Sequence, residues 1–144
     1  MPDFVRVAPA RMFAGVDIAA SAMSAERLRM NIASENLAHA GDTRRLADGM
    51  PYQRQRVMFQ EALNDQGAAT GMVKSTAVAS PKYEGRYDPS HPDANDQGIV
   101  HTPEVSPVLE LTDLMIASKA YEANANAARG LLRMHENALR LGQD

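Results

Sequence analysis

The residues whose types and spacing best suit chemistry lie between Asp93 and Glu104, in the segment DANDQGIVHTPE. Its Asp, Asn, Gly and Glu stand where a calcium-binding EF-hand loop has its first, third, sixth and twelfth positions. Gln97 departs from that pattern, and prolines precede the segment where an EF-hand requires a helix. We therefore interpret the segment as a polar turn and expect no calcium site.

Other candidate chemistry has less support. His91, Asp93 and His101 could bind zinc by ligand type, but no pair of histidines has the short spacing of a zinc motif. His135 lies on a helical apolar stripe, where a packed side chain is the expected state. Neither a nucleophile elbow nor a phosphate-binding glycine loop is present, although a catalytic group can be dispersed in sequence. We expect neither an enzyme nor a cofactor.

Charge and hydropathy limit the partners. The formal net charge is −3, and the one basic cluster (Arg44, Arg45, Arg54 and Arg56) has no aromatic ladder beside it, so nucleic-acid binding is not expected. No apolar run is long enough to span a membrane, and the N-terminal stretch lacks the continuous hydrophobic region of a cleaved signal peptide. Cysteine is absent, which excludes disulfides and thiolate metal sites.

Composition divides the chain into three segments that would have to position any site. Segments 1–40 and 108–144 are predicted to form one helical domain, and 41–107, which holds most of the prolines and glycines, a β-rich inserted lobe with long loops. The fold class predicted is α+β: long N- and C-terminal α-helices packed as an elongated coiled-coil-like pair, with a small β-rich lobe inserted between them. Alanine is the commonest residue and aromatic residues are few, which favours close helix packing over a large aromatic core.

The first helix, predicted over 13–39, carries two apolar stripes. One stripe recurs every seven residues, at Val16, Met23, Met30 and Leu37. The other lies on nearly the opposite side, at Ile18, Ala25, Leu28 and Ile32. One stripe is enough to dock a helix on one surface, so two opposed stripes predict neighbours on both sides.

The last helix, predicted over 108–141, has the alternating three- and four-residue spacing of a coiled-coil seam. Pro107 suits its start and Gly142 its end. The seam residues are Leu111, Leu114, Ser118, Tyr121, Ala125, Ala128, Leu132, His135 and Leu139.

Between the helices the sequence predicts short strands. Met50–Leu63 and Met72–Ala79 are compatible with strands, and Gly98–His101 with a third. The intervening segment Tyr83–Gly98 is dense in turn-forming residues and is predicted to be a long loop.

Four separated strings resemble the flagellar rod and hook protein family, and in particular its proximal-rod members. They are RMNIASENLAHA at Arg29–Ala40, GMPYQRQRVMFQ from Gly49, YDPSHPDANDQGIV at Tyr87–Val100, and LMIASKAYEANANA at Leu114–Ala127. Asn31 and Asn36 stand at the asparagine positions of the first string, whereas His39 departs from it. The resemblance covers about residues 12–143.

This resemblance implies a structural subunit of the proximal rod of the bacterial flagellar basal body. Its implied partners are copies of itself, other rod proteins, the membrane-embedded basal-body ring and the flagellar export apparatus. It implies export without a cleaved signal peptide, assembly in the periplasm and no direct insertion into a membrane. The alternative function is a soluble helical adaptor or chaperone-like dimer that uses the same seam but forms no filament.

Combining the stripes with the resemblance, we predict an assembly interface on the two terminal helices. Its residues are Val16, Met23, Met30, Asn31, Asn36, Leu37, Leu111, Leu114, Tyr121, Ala125, Ala128, Leu132 and Leu139.

Overall fold

Two long helices pack together in the computed structural model, which describes residues 8–46 and 49–142, with side chains from residue 13 onward. Helix α1 spans Ala8–Ala38 and helix α2 spans Pro107–Leu141. Both follow the predicted ranges closely, and α1 begins five residues earlier than predicted. Neither described helix has an apolar stretch long enough to cross a membrane.

The ends of α2 follow from local chemistry. Pro107 begins the helix, where its missing N–H group needs no intrahelical partner. The carbonyl of Ser106 accepts the first helical hydrogen bond, from the Glu110 N–H at 3.1 Å. At the other end, the Gly142 N–H donates to the Ala138 carbonyl at 3.2 Å, and the helix stops.

The chain between α1 and α2 contains four strands, which form two separate two-stranded sheets. The predicted α+β class is confirmed. The first sheet pairs β1 with β2, and the five residues that connect them are too few for a parallel crossover. The second sheet pairs β3 with β4 antiparallel. The strands are β1 Gln55–Leu63, β2 Ala69–Ala79, β3 Tyr83–Tyr87 and β4 Ile99–Pro103.

The prediction of a continuous loop over Tyr83–Gly98 is wrong in its first five residues, which form β3. Tyr83 pairs with Pro103 and Tyr87 with Ile99. Pairing with a neighbouring strand outweighs weak local propensity, because a strand gains most from its cross-strand contacts. The turn-forming residues act only from Asp88 onward, and Gly98 has the positive φ of 73° that this turn requires.

The contacts divide the chain into two compact units. The first unit combines α1 up to Arg27, the segment Phe59–Ser75 of the first sheet, and α2 from Ala117 onward. The second unit combines Leu28–Met58 with Thr76–Ile116, and so contains the second sheet and the facing ends of both helices.

In the first unit, β2 is attached to α1. The Ser21 hydroxyl donates to the Ile18 carbonyl at 2.7 Å and accepts from the Val73 N–H at 3.1 Å. Beside this contact Gly71 has a φ of 75°, and a Cβ placed on it would lie 3.1 Å from Ile18 Cδ1. Gly67 has the same φ of 75°, but a Cβ there would meet nothing within 4 Å.

Substituting these two glycines distinguishes the cost of a strained backbone from the cost of crowding by a neighbouring side chain. Gly67→Ala should lower the free energy of unfolding by about 1–2 kcal/mol, because only the left-handed backbone is penalised. Gly71→Ala should cost more, because the new methyl group also meets Ile18. Urea unfolding of both variants measures the difference. Ile18→Val should recover part of the loss in the Gly71→Ala background alone, and equal effects of the two glycine changes would contradict the close contact.

Candidate functional site

The second unit contains a cluster of buried polar groups where the two helices meet the first strand. Asn36 lies near the end of α1 and is 1% exposed, and Glu110 lies in the first turn of α2 and is 2% exposed. Tyr52, Arg54 and Gln55 come from the chain that leads into β1. We name these five residues the polar junction.

The amide of Asn36 uses its full hydrogen-bonding capacity. Its Nδ2 donates to the Gln55 carbonyl at 2.8 Å and to Glu110 Oε2 at 3.0 Å. Its Oδ1 accepts from the Gln55 N–H at 2.9 Å and from the Tyr52 hydroxyl at 3.0 Å. Because an asparagine amide offers two donors and its oxygen two lone pairs, no capacity is left over. Asn36 therefore binds the backbone of β1 much as a neighbouring strand would.

The Glu110 carboxylate joins both helices to the strand. Its Oε1 accepts from Arg54, with Nε at 2.7 Å and Nη2 at 2.6 Å, while its Oε2 accepts from Asn36. The Arg54 side chain is 25% exposed, so the positive partner reaches solvent while the carboxylate does not. A buried carboxylate is tolerated only when it is paired and hydrogen-bonded, and both conditions hold here.

Tyr52 completes the junction as a hydrogen-bond donor. Burial raises the pKa of its phenol, and the nearby Glu35 and Glu110 carboxylates raise it further. The hydroxyl thus stays protonated at neutral pH and can donate to Asn36. The Tyr52 ring also stacks on His39, with ring centroids 4.2 Å apart. His39, which departs from the family pattern in sequence, lies against the junction.

The loop after α1 is tied to the turn that precedes β4. Thr43 Oγ1 donates to Asp93 Oδ2 at 2.7 Å, and Arg45 Nη2 donates to the Asp93 carbonyl at 3.0 Å. Within the loop, hydrogen bonds from the Arg44 side chain and backbone lower the pKa of Asp42 to about 2. This contribution to stability is present above the unmodified value of 3.8 and is lost as the pH falls towards 2.

The segment with EF-hand spacing is a turn followed by a strand. Asn95 Oδ1 accepts from the N–H groups of Gln97 and Ile99, which closes the turn. The backbone N–H of Glu104 donates to the Lys82 carbonyl at 3.0 Å, just after the end of β4. Within residues 8–46 and 49–142, no group of three or more His, Asp or Glu side chains could hold a metal ion.

The predicted assembly residues fall into three classes of exposure. Five are exposed: Asn31, Leu111, Tyr121, Leu132 and Leu139. Six are partly buried: Val16, Met23, Met30, Leu37, Leu114 and Ala125. Two are buried within the chain: Asn36 and Ala128.

Sequence reasoning selected Asn36 but did not select its partners Tyr52, Arg54 and Glu110. One signal for Glu110 was present in the sequence. It precedes Leu114 by four residues and Ala117 by seven, so it lies on the inward stripe of α2. A carboxylate on an inward stripe implies a buried partner, but nothing in one sequence identifies Arg54 as that partner.

Comparison with protein-family models identifies the general class of protein to which the chain belongs. Residues 96–141 match the family model described as the C-terminal part of flagellar basal body rod FlgEFG proteins. With two long packed helices and a small β lobe between them in sequence, the fold and this match define a flagellar rod-type structural protein.

Full-length relatives then give the family. The chain is 33% identical to the flagellar basal-body rod protein FlgC of Borreliella burgdorferi, over 92% of this chain and 98% of the relative. It is 33% identical to that of Bacillus subtilis over 91% and 98%, and 39% identical to that of Escherichia coli O157:H7 over 88% and 95%. The chain belongs to the FlgC family of flagellar basal-body rod proteins.

Several predictions from the sequence are thereby confirmed. The protein is a structural subunit of the basal-body rod and not an enzyme. Its location is the rod of the flagellar basal body. The alternative of a soluble adaptor finds no support among these relatives.

The junction can be tested against a more exposed ion pair on the same two helices. Glu110→Ala should lower the free energy of unfolding by about 1–3 kcal/mol, because the buried amide of Asn36 loses an acceptor, while Arg54, 25% exposed, can turn to solvent. Asp113→Ala removes one partner of Arg29, in an ion pair whose side chains are 25% and 43% exposed, and should cost about 1 kcal/mol or less. Chemical unfolding of the two variants supplies both values, and similar losses would show that the junction is no stronger than a surface pair.

Proposed function

We propose that the subunit packs against copies of itself and other rod proteins through exposed apolar side chains on α1 and α2. The observation that carries this proposal is the outward face of α2 in the second unit. Five large apolar side chains there are 48–71% exposed: Val108, Leu109, Leu111, Met115 and Ile116. Contiguous apolar surface of this kind is typical of protein–protein contacts.

Helix geometry places these side chains opposite the polar junction. At 3.6 residues per turn, all five lie on the half of α2 that faces away from Glu110. The helix therefore has a buried side held by a carboxylate and an outward side that is apolar. Burying the outward side against a neighbour removes apolar surface from water, which favours association.

The predicted interface residues in the first unit extend the same proposal. Leu132 and Leu139 are 43% and 62% exposed. Phe13 on α1, which is outside the predicted set, is 56% exposed and stacked on His135 at 5.4 Å. These faces carry different residues, so two copies can meet through unlike patches. Contacts between unlike patches that do not close into a ring build helical filaments, as a rod requires.

We assign the segments to roles in the same assembly. Segments 1–40 and 108–144 would form the axial part of the rod, and 41–107 the lobe outside it; residues 1–7, 47–48 and 143–144 of these segments lie outside the described residues. The division of the described chain into two long helices with four short strands between them in sequence supports this assignment. The proximal-rod resemblance extends it to contacts with the membrane-embedded ring and the export apparatus, and to export through that apparatus without signal cleavage.

Leu132→Asp tests the interface at a single exposed position. A carboxylate buried against a neighbour's apolar surface should weaken the contact at least about tenfold, so fewer basal bodies should complete and swimming should fail. Because Leu132 is 43% exposed in the subunit, the variant itself should fold. The measurement is swimming in soft agar, with basal bodies counted by electron microscopy, in cells whose only copy carries the change.

Arg133→Ala is the matched control, because it is exposed on the same helix and lowers the net charge by the same one unit. It should leave assembly intact. Normal rods with Leu132→Asp would mean that the exposed surface of α2 around Leu132, in the first unit, does not meet a neighbour. A closed dimer of the wild-type protein at every concentration would contradict the proposed non-closing contacts between unlike patches.

A further inference from the structure

We infer that Asn36, Arg54 and Glu110 are positioning residues for assembly, because they hold α1 and α2 at a single register in the second unit. The register determines where the outward face of α2 lies relative to α1 and β1. A neighbouring subunit would therefore meet one defined surface instead of a set of slipped ones. This inference rests on the proposed function, since it assigns a role to the inner side of the same helices.

Packing alone specifies this register weakly. Among residues 107–116 of α2, Glu110 is the one fully buried side chain, with Asp113 and Leu114 partly buried beside it. The most deeply buried contact of this stretch is therefore a carboxylate. On the facing part of α1 the buried apolar residues are Ile32 and Ala33. Apolar contact is not directional, and a shift along the helix can replace one apolar neighbour with another.

The hydrogen bonds of the polar junction depend on distance and direction, whereas the apolar contacts do not depend on direction. A slip of one helical turn moves a residue by about 5.4 Å, whereas the hydrogen bonds of Glu110 extend only to 3.0 Å. Such a slip would separate the carboxylate from Asn36 and Arg54 together and leave it buried without a partner. Buried polar groups are known to specify register in helical assemblies for this reason.

The ion pair between Arg29 and Asp113 does not fix the register of α1 and α2 in the same way. Arg29 Nη2 lies 2.8 Å from Asp113 Oδ1, also between α1 and α2. Its side chains are 25% and 43% exposed, so water can replace the partner of Asp113 after a slip. Of these two contacts between α1 and α2, the polar junction is the one that discriminates between registers.

Distance measurements between spin labels on the full-length protein test the inference, since the chain has no cysteine of its own. Labels at Ser34→Cys on α1 and Thr112→Cys on α2 occupy exposed positions within the second unit. With the junction intact we expect one narrow distance. The combined variant is Asn36→Leu, Arg54→Met and Glu110→Met, whose apolar side chains approximate the heavy-atom shapes of the residues that they replace. In this variant we expect a second distance displaced by up to about 5.4 Å, or a clearly broadened distribution.

Two controls keep the result interpretable. Asp113→Asn should retain the single distance, because it alters the exposed pair alone. Circular dichroism must show that the triple variant keeps its helices. If the triple variant does not fold, the same reading is taken from Glu110→Met, where Arg54 can turn its partly exposed side chain to solvent. An unchanged narrow distance in the folded junction variant overturns the inference.

Assembly in cells separates this inference from the proposed function. We expect the junction variant to show both the added distance and a loss of completed rods. Slipped helices with normal swimming would overturn the positioning role while leaving the rod function in place. Loss of rods with Leu132→Asp but an unchanged label distance in the junction variant would likewise retain the proposed interface and overturn the register lock.

Discussion

The structure of the second unit depends on one buried carboxylate. Glu110 is withdrawn from water in the first turn of α2, and such a charge is stable only beside a positive partner and hydrogen-bond donors. Arg54 and Asn36 supply these, and Asn36 in turn binds both backbone groups of Gln55. The position of one side chain thereby determines where α1, α2 and β1 meet.

The two sides of α2 then have different roles in one subunit. Towards the chain, the helix presents a hydrogen-bonded carboxylate whose geometry tolerates little displacement. Away from the chain, it presents the exposed side chains Val108, Leu111 and Met115, whose proposed contacts with a neighbour would not be directional. The proposed assembly would use both properties, because a rod subunit would keep one shape while its exposed apolar side chains pack against neighbours.

A structural feature can be predicted from the sequence when the residues that determine it are close together in the chain. The helices were predicted because proline-free segments with helical periodicity specify them locally, and β3 was missed because its pairing with β4 is not local. The junction was missed for the same reason, since Asn36, Arg54 and Glu110 are far apart in the chain. Asn36 entered the predicted interface through a family resemblance, and its burial gives it an internal role that periodicity does not reveal.

The most direct test of this account is a double-mutant cycle between Asn36 and Glu110, measured as free energies of unfolding for Asn36→Ala, Glu110→Ala and the double variant. Residues in direct contact within one buried network should show a coupling of about 1 kcal/mol or more, so the double variant should lose less stability than the sum of the single changes. Additive losses, equal to that sum within about 0.3 kcal/mol, would contradict the claim that Glu110 and Asn36 act as one junction.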